Sequence, residues 1–377
     1  MNDATAVGPR LRRIQIVALA IGIVGTIACV AAAVWDADRF FPAYLFAYVY
    51  WAGISLGALA LALLDYLTGS KWTAAIRRPA AAAARTLPLV ALLFVPLLPG
   101  LPRLYPWARP GLVAADSLLQ QKSIYLNAPF VAGRGVAFFL LWGGIVVLGG
   151  AWTRRLDRAP DPATAGRLRR LGGLGLIVWG ATLSFAFVDW LMSLEPEWVS
   201  SIYPLVVIGS SALAALAAIV LWVALLSRRP PYASTITPRI LNDLGAMLLA
   251  LVMLWGYLAF SQYLVIWMGN LPDEVIWYQR RLTGGWQWIG AAVALFQFAI
   301  PFVLLLPQGM KRSAGALAGI SASILLIPLV EVFWLVLPPF RPAVVVHWPD
   351  IAAPLAIGGL WLAFFLAQFR ARSVTPI

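Results

Sequence analysis

Four acidic residues lie within or at the ends of long apolar stretches of this sequence, namely Asp65, Asp189, Asp243 and Glu331. A charged side chain at the centre of a bilayer costs on the order of 3 kcal/mol or more. It persists there when it is paired, when a water-filled cavity solvates it, or when it takes up a proton. A carboxyl group in such surroundings can load and release protons near neutral pH. We therefore predict these four residues as candidates for a proton pathway.

The four carboxyl groups divide between the two ends of the predicted spans. Asp65 and Asp243 lie near the span ends where most basic residues are found. Asp189 and Glu331 lie in the third of their spans that is nearest the opposite side. Two half-channels, one from each side, are one arrangement that can move protons. Structural roles are open alternatives. Asp243 lies where it can cap a helix start, Asp65 can pair with Lys71 or Arg77, and Asp189 can lie at the wet interface.

A second group of polar residues lies in the segment 255–288. Ser261, Gln262 and Tyr263 place three hydrogen-bonding side chains within an apolar helix. Such groups usually join helices to one another inside a membrane, but they can also line a quinone pocket or a water wire. His347 lies in the last outer connection, where a lone histidine is typical of a hydrogen-bonded surface residue.

Helices that cross a bilayer must position these groups. Of the 377 residues, 62% are hydrophobic and 11% are charged, whereas a soluble domain carries about 25% charge. Continuous apolar stretches are typical of membrane-spanning helices and not of β-barrel strands. The sequence predicts an all-α polytopic protein, a single membrane domain over 1–377. Its ten spans are expected at about 14–34, 43–65, 86–102, 130–152, 171–193, 201–227, 241–269, 286–307, 313–338 and 351–369. Residues 112–126 are expected to form a short surface helix.

The basic residues orient these spans. Of the 28 Lys and Arg residues, 20 fall in alternate connections and at the two ends, and 8 fall on the opposite side. Because basic residues accumulate on the cytoplasmic side, both termini are predicted to be cytoplasmic. The net charge of +13 is explained by topology and anionic lipid, and not by a nucleic-acid partner.

The histidine and cysteine content restricts the cofactors. One cysteine, Cys29, and one histidine, His347, are present. They cannot supply the two axial ligands of a haem b, a four-cysteine iron–sulfur site or a zinc site. No soluble catalytic motif is present either. We therefore expect no catalytic centre in this chain and no metal bound by it.

An internal repeat is predicted from two acidic positions. Asp189 and Glu331 each lie 18 residues past the cytoplasmic start of their spans, in the strings VDWLMSL and VEVFWLVL. Residues of about 43–193 and about 201–338 are therefore candidates for two related four-helix units. Internal repeats are common in polytopic proteins.

Several strings carry a resemblance to a known family. They are AYVYWAGISLGALALALLDYLTGSKW (47–72), ARTLPLVALLFVPLLPGLPRLYPWARP (84–110), YLNAPF (125–130), FVDWLMSLEPEW (187–198), LAFSQYLVIWMGNLPDEVIWYQRR (258–281) and HWPDIAAPLAIGGLWLA (347–363). They are similar to the ActF-type membrane subunit of bacterial alternative complex III, a quinol:cytochrome c oxidoreductase whose membrane subunits are NrfD/PsrC-like. The likeness covers nearly the whole chain.

The resemblance implies two four-helix bundles plus two flanking helices in a bacterial inner membrane. It implies that the chain binds no metal and is a candidate for forming proton half-channels. Subunits of this type are often labelled quinone-binding, although an ActC-type paralogue is the better candidate for the quinol site. The expected partners are a multihaem cytochrome c, an iron–sulfur protein, a paralogous quinol-binding subunit, a terminal oxidase and lipids. Ser193 and His347 match polar positions of the family and join the proton-pathway candidates. Where the family pattern has histidines, this chain has Asp65 with its neighbours and Asn242-Asp243.

Two alternatives of other classes remain open at this stage. The chain could be a purely structural scaffold for electron-transfer subunits, or a free-standing secondary transporter, in which buried acids and bent spans also occur. The first span, with its basic start and its run Ala31-Ala32-Ala33, also has the pattern of a signal peptide.

Overall fold

A computed structural model of the chain describes residues 4–228 and 235–371. In this part of the chain the structure is entirely helical and holds ten helices that are long and apolar enough to span a bilayer. The helices are α1 (Ala4–Trp35), α2 (Ala37–Thr68), α3 (Lys71–Ala84), α4 (Leu87–Phe94), α5 (Leu101–Leu104), α6 (Pro110–Ala115), α7 (Ser117–Lys122), α8 (Ala128–Arg158), α9 (Pro162–Trp190), α10 (Tyr203–Leu226), α11 (Pro238–Gly269), α12 (Pro272–Arg281), α13 (Trp286–Val293), α14 (Ile300–Leu305), α15 (Gln308–Arg312), α16 (Ala314–Val336) and α17 (Trp348–Arg370). The all-α polytopic class and the ten spans are confirmed.

The third span differs from its predicted position. It runs from Trp72 to Leu97 through α3 and α4, and not over 86–102. The alanine run 80–84 has high helix propensity and extends the helix toward the chain's basic side. Arg77, Arg78 and Arg85, expected in a connection, therefore lie on or directly after α3.

The connection between the third and fourth spans contains short helices. The surface helix predicted over 112–126 is present as two pieces, α6 and α7, which are separated at Asp116. The Asp116 side chain accepts a hydrogen bond from Leu118 N at 2.8 Å and caps α7. Because Asp116 caps the N-terminus of α7, a new helix begins there and the stretch is not one continuous helix.

Two long helices form the centre of the molecule. The α2 helix contacts α3, α9, α10, α16 and α17, and α10 contacts α2, α11 and α16. One group of packed spans is α2, α3–α4, α8 and α9, and a second is α10, α11, α13–α14 and α16. Side chains from both groups meet along α2 and α10, where most residues are buried. The described spans therefore share one core.

The first and last spans pack against each other beside this core. A Cβ atom at Gly359 would lie 2.4 Å from Gly22 N, and one at Gly25 would lie 2.7 Å from Ala356 Cα. Backbones this close require small residues at the crossing. Basic residues lie at the same end of both helices, at Arg12 and Arg370. We call this end of the molecule the basic face and the opposite end the outer face. Two further residues counted toward the basic face, Arg229 and Arg372, lie outside the described residues.

Candidate functional site within the membrane

Glu331 is a buried carboxylate held by three neutral donors. Its side chain is on α16, one to two turns from the outer end, and its exposed fraction is 2%. Trp255 Nε1 donates to Oε1 at 2.9 Å, and Gln297 Nε2 donates to Oε2 at 2.8 Å. Ser210 Oγ also donates to Oε2. Among the described residues, no Lys, Arg or His pairs with this carboxylate.

Local helix geometry places these donors. Gln297 lies in a π-helical turn, Ala294–Ala299, which joins α13 to α14. A π turn shifts side chains relative to a regular helix and is common at functional sites. Here the Gln297 side chain reaches the carboxylate between helices and is fully buried. Ser210 and Trp255 come from the helices α10 and α11. Three separate segments thus converge on the acidic group that α16 carries.

A cavity of about 650 Å³ adjoins Glu331. Its wall is mostly apolar and aromatic and is formed by α10, α11, α12, α13, α16 and the π-helical turn. It includes Trp255, Trp277, Trp334 and Phe298. Apolar cavities of several hundred Å³ with a few polar groups are typical of small-molecule sites. Glycines shape the wall, since a Cβ at Gly290 would meet the Trp334 ring at 3.2 Å.

Unpartnered polar atoms also line this cavity. The amide oxygens of Gln262 and Gln287 are buried and have no hydrogen-bond partner among the described residues. Buried polar atoms are usually satisfied, and an exception calls for a ligand, a water or an ion. The Tyr278 hydroxyl also lines the cavity and can donate a hydrogen bond there. Burial raises the pKa of Tyr278 to about 12, against the lowering effect of a hydrogen bond with Gln262. The wall therefore offers acceptors, a donor and the Glu331 carboxylate.

A buried arginine on α12 lines the cavity. Arg281 is 1% exposed, and it donates to Glu195 Oε2 at 2.8 Å and to Leu335 O at 2.9 Å. Its guanidinium also lies 3.7 Å from the centre of the Trp277 ring. Arg280 bonds the other oxygen of Glu195 at 2.7 Å. These contacts tie α12 to the connection after α9 and fix the outer wall.

Asp189 lies in a different environment from Glu331. It is buried near the end of α9, where Arg134 donates to both of its oxygens at 2.9 and 2.8 Å. The guanidinium stacks on Tyr125, 3.8 Å from the ring centre. Burial and the nearby Asp189 carboxylate raise the pKa of Tyr125 to about 12, so the phenol stays neutral. This bidentate pair balances the charge of Asp189.

Ser193 and His347 make no hydrogen bond to the side chains of Asp65, Asp189, Asp243 or Glu331 among the described residues. Ser193 Oγ donates to the backbone oxygen of Asp189 at 2.6 Å and extends the end of α9 by one turn. His347 lies at the start of α17, where its backbone N–H donates to Asp350 Oδ2 at 2.7 Å. Asp350 in turn pairs with Arg341 at 2.7 Å. The His347 and Asp350 side chains form a reciprocal capping box at this helix start.

The two acids near the basic face also differ from each other. Asp65 is buried and accepts from Arg77 Nε at 2.6 Å and from Arg77 Nη2 at 3.1 Å, so the pairing with Arg77 is present. The Lys71 side chain, the other expected partner, lies outside the described residues. Asp243 is half-buried and has no ion-pair or hydrogen-bond partner among the described residues. It does not cap its helix, because α11 begins at Pro238 and Thr237 Oγ1 accepts from Ile240 N at 3.4 Å.

The three consecutive polar residues on α11, Ser261, Gln262 and Tyr263, do not all face the cavity. Gln262 and Tyr263 line the cavity, and the Tyr263 ring packs edge-to-face on Tyr278 at 5.4 Å. Ser261 is half-buried and does not belong to the cavity wall. Successive helical residues lie about 100° apart, so three in a row cannot share one face.

Sequence reasoning missed most partners of the candidate acids, which are Arg134, Ser210, Trp255 and Gln297. Arg134 had a usable signal, because an arginine inside an apolar span carries the same energetic cost as an aspartate. Ser210 and Trp255 had none, since serine and tryptophan are ordinary residues in such helices. Among the described residues, no three His, Cys, Asp or Glu side chains form a cluster that could hold a metal ion.

Comparison of the chain with models of protein families gives no match, and comparison with curated proteins gives none either. The ten long apolar helices in the described residues show that the chain is an integral multi-pass membrane protein.

Proposed function

We propose that this chain is a membrane subunit of a quinol-oxidising respiratory complex in a bacterial inner membrane, and that Glu331 exchanges protons beside the cavity. The observation that carries the proposal is the environment of Glu331, which has three neutral donors and, in the described part of the chain, no cation partner. A buried carboxylate without a cation is costly, and the cost is removed when the group binds a proton. Such a group can therefore alternate between two charge states without breaking an ion pair.

The contrast with the other acids supports this choice. Protonation of Asp189 or Asp65 would leave Arg134 or Arg77 without its partner, and breaking a buried pair is strongly destabilising. Their ion pairs favour a structural role. Asp243, which is unpaired and half-buried, is retained as a proton-pathway candidate near the basic face.

The residues of the cavity fit a quinol. A quinol supplies two hydroxyl protons and two electrons when it is oxidised. The free amide oxygens of Gln262 and Gln287 can accept hydrogen bonds from hydroxyl groups, and the Trp277 and Trp334 rings match a flat ring. Glu331 is the acceptor for a proton released there. Because this chain lacks redox ligands, electrons would pass to haem c and iron–sulfur clusters in partner subunits.

Membership of a complex is tested by purification. The full chain, tagged and extracted in mild detergent, is expected to bring c-type haem absorbance and an iron–sulfur protein with it. A free-standing transporter would bring neither, and that result would remove the respiratory assignment.

The proton role is tested by Glu331→Gln in the assembled complex. The amide keeps the side-chain volume and an acceptor oxygen but cannot exchange protons, so quinol oxidation and proton uptake are expected to fall at least tenfold. Glu197→Gln is the control, because Glu197 is a half-exposed carboxylate paired with Arg280 at 2.9 Å. Normal turnover in Glu331→Gln would leave only a scaffold role.

The ligand is tested separately. Ala294→Trp fills the cavity from its wall and leaves Glu331 in place. Loss of decylubiquinol binding to the purified variant is expected, whereas Glu331→Gln should retain part of the binding. Equal binding by Ala294→Trp and the parent chain would exclude the cavity as the quinol site.

A further inference from the structure

A groove of about 490 Å³ lies at the basic face between the first and last spans. It is away from the Glu331 cavity and has no part in the function proposed above. Its wall consists of Gly8, Pro9, Arg12, Arg13, Ile16, Val17 and Arg370. Three guanidinium groups therefore line one recess, together with apolar side chains of α1.

Among the described residues, no acidic group balances the charge in this groove. Arg12 and Arg13 are exposed and make no hydrogen bond or ion pair with the described residues. Arg370 donates to the neutral amide oxygen Gln15 Oε1 at 2.7 Å. The described part of α1 contains no Asp or Glu, and on α17 the only one is Asp350, in the first turn at the opposite end. The recess therefore presents three positive charges to a ligand.

The apolar part of the groove determines the kind of ligand. Ile16 and Val17 lie one turn deeper than the arginines, and their exposed fractions are 58% and 52%. Exposed apolar side chains continue along α1 toward the bilayer centre, at Ile23, Val24 and Ile27. A ligand with an anionic head at the interface and hydrocarbon chains below it matches both parts. Basic pockets between spans on the cytoplasmic side bind such lipid headgroups.

The geometry points to an anionic phospholipid site, in which Arg12, Arg13 and Arg370 hold the phosphate and the chains lie on Ile16 and Val17. The close contact of Gly22 with Gly359 fixes α1 against α17 and so keeps the three arginines together. The bound lipid would cover the α1–α17 seam on the basic side.

Native mass spectrometry of the purified full chain tests this site, with cardiolipin as probe and phosphatidylcholine as the neutral comparison. Each arginine removed is expected to weaken cardiolipin binding about fivefold, and the triple change Arg12→Gln, Arg13→Gln, Arg370→Gln about 100-fold. The matched control is Arg167→Gln, Arg169→Gln, Arg170→Gln. It removes the same charge from exposed positions at the basic end of α9, outside the groove.

The outcomes separate the alternatives. Selective loss in the groove variant supports the site, whereas an equal loss in the control would reduce it to general surface charge and overturn it. Displacement of cardiolipin by millimolar inorganic phosphate would show a free-anion site and would also overturn the proposal. If the triple variant does not fold, Arg12→Gln and Arg13→Gln are measured singly, since neither side chain bonds to the rest of the described chain. Unchanged binding in both would then contradict the assignment.

Discussion

Gln297 Nε2 lies 2.8 Å from Glu331 Oε2 and joins a π-helical turn to the helix that carries the acid. The two residues are on different spans, and neither is exposed by more than 2%. This oxygen of the carboxylate is thus held by two neutral donors, the Gln297 amide and the Ser210 hydroxyl. Because Gln297 lies in the π-helical turn of the eighth span, the conformation of that turn determines whether the amide can stabilise the Glu331 carboxylate.

Gln297→Leu tests this contact. The apolar side chain removes one donor from a buried carboxylate, so the free energy of unfolding is expected to fall by about 1–3 kcal/mol. Thermal unfolding in detergent measures it. Gln308→Leu is the matched control, since Gln308 is exposed on α15. Equal stability of the two variants would contradict the role assigned to Gln297.

The helices could be read from the sequence because their lengths and apolar content follow from the bilayer thickness. The sequence misplaces the third span because Arg77 and Arg78 resemble the residues of a connection. In the structure they lie on α3, and their side chains donate to Asp65 Oδ2 and Phe369 O. Long basic side chains can extend from a helix to polar partners. Charge alone therefore did not mark the end of the helix.

The site was predicted only in part. The carboxylate of Glu331 was identified from the cost of burying charge, but its surroundings depend on which helices pack together. Its donors lie 34, 76 and 121 residues away in the sequence. The spacing of apolar and polar residues along one helix carries no information on contacts between residues so far apart in the sequence. For the same reason the sequence could not separate the paired Asp189 from the unpaired Glu331.

Asp189 and Arg134 are expected to be energetically coupled. Asp189→Asn or Arg134→Gln alone leaves one buried charge without its partner, and each is expected to cost about 3–5 kcal/mol. The double variant removes both charges and should cost at least 1 kcal/mol less than the sum. Unfolding of the four proteins in a double-mutant cycle provides the measurement. Additive losses would mean that the pair does not stabilise the outer end of α9.

The crossing of the first and last spans is expected to be sensitive to one methyl group. Gly359→Ala places a Cβ at 2.4 Å from Gly22 N, so the helices must separate at a cost of about 1–3 kcal/mol. Gly143→Ala is the control, because a Cβ there meets nothing within 4 Å. Thermal unfolding compares the two, and cardiolipin binding should weaken only in Gly359→Ala. A variant as stable as the control would show that this close contact is not required.

The orientation of the chain can be measured with two cysteines in a Cys29→Ala background. Gly111 and Gly166 are both exposed, and a Cβ at either meets nothing within 4 Å, so both substitutions leave the packing unchanged. Gly111 lies on the outer face and Gly166 beside the arginine cluster 154–170. Because basic residues stay in the cytoplasm, a membrane-impermeant maleimide is expected to label Gly111→Cys in intact spheroplasts. Gly166→Cys should react only after permeabilisation, and the reverse pattern would invert the orientation and place Glu331 near the cytoplasmic side.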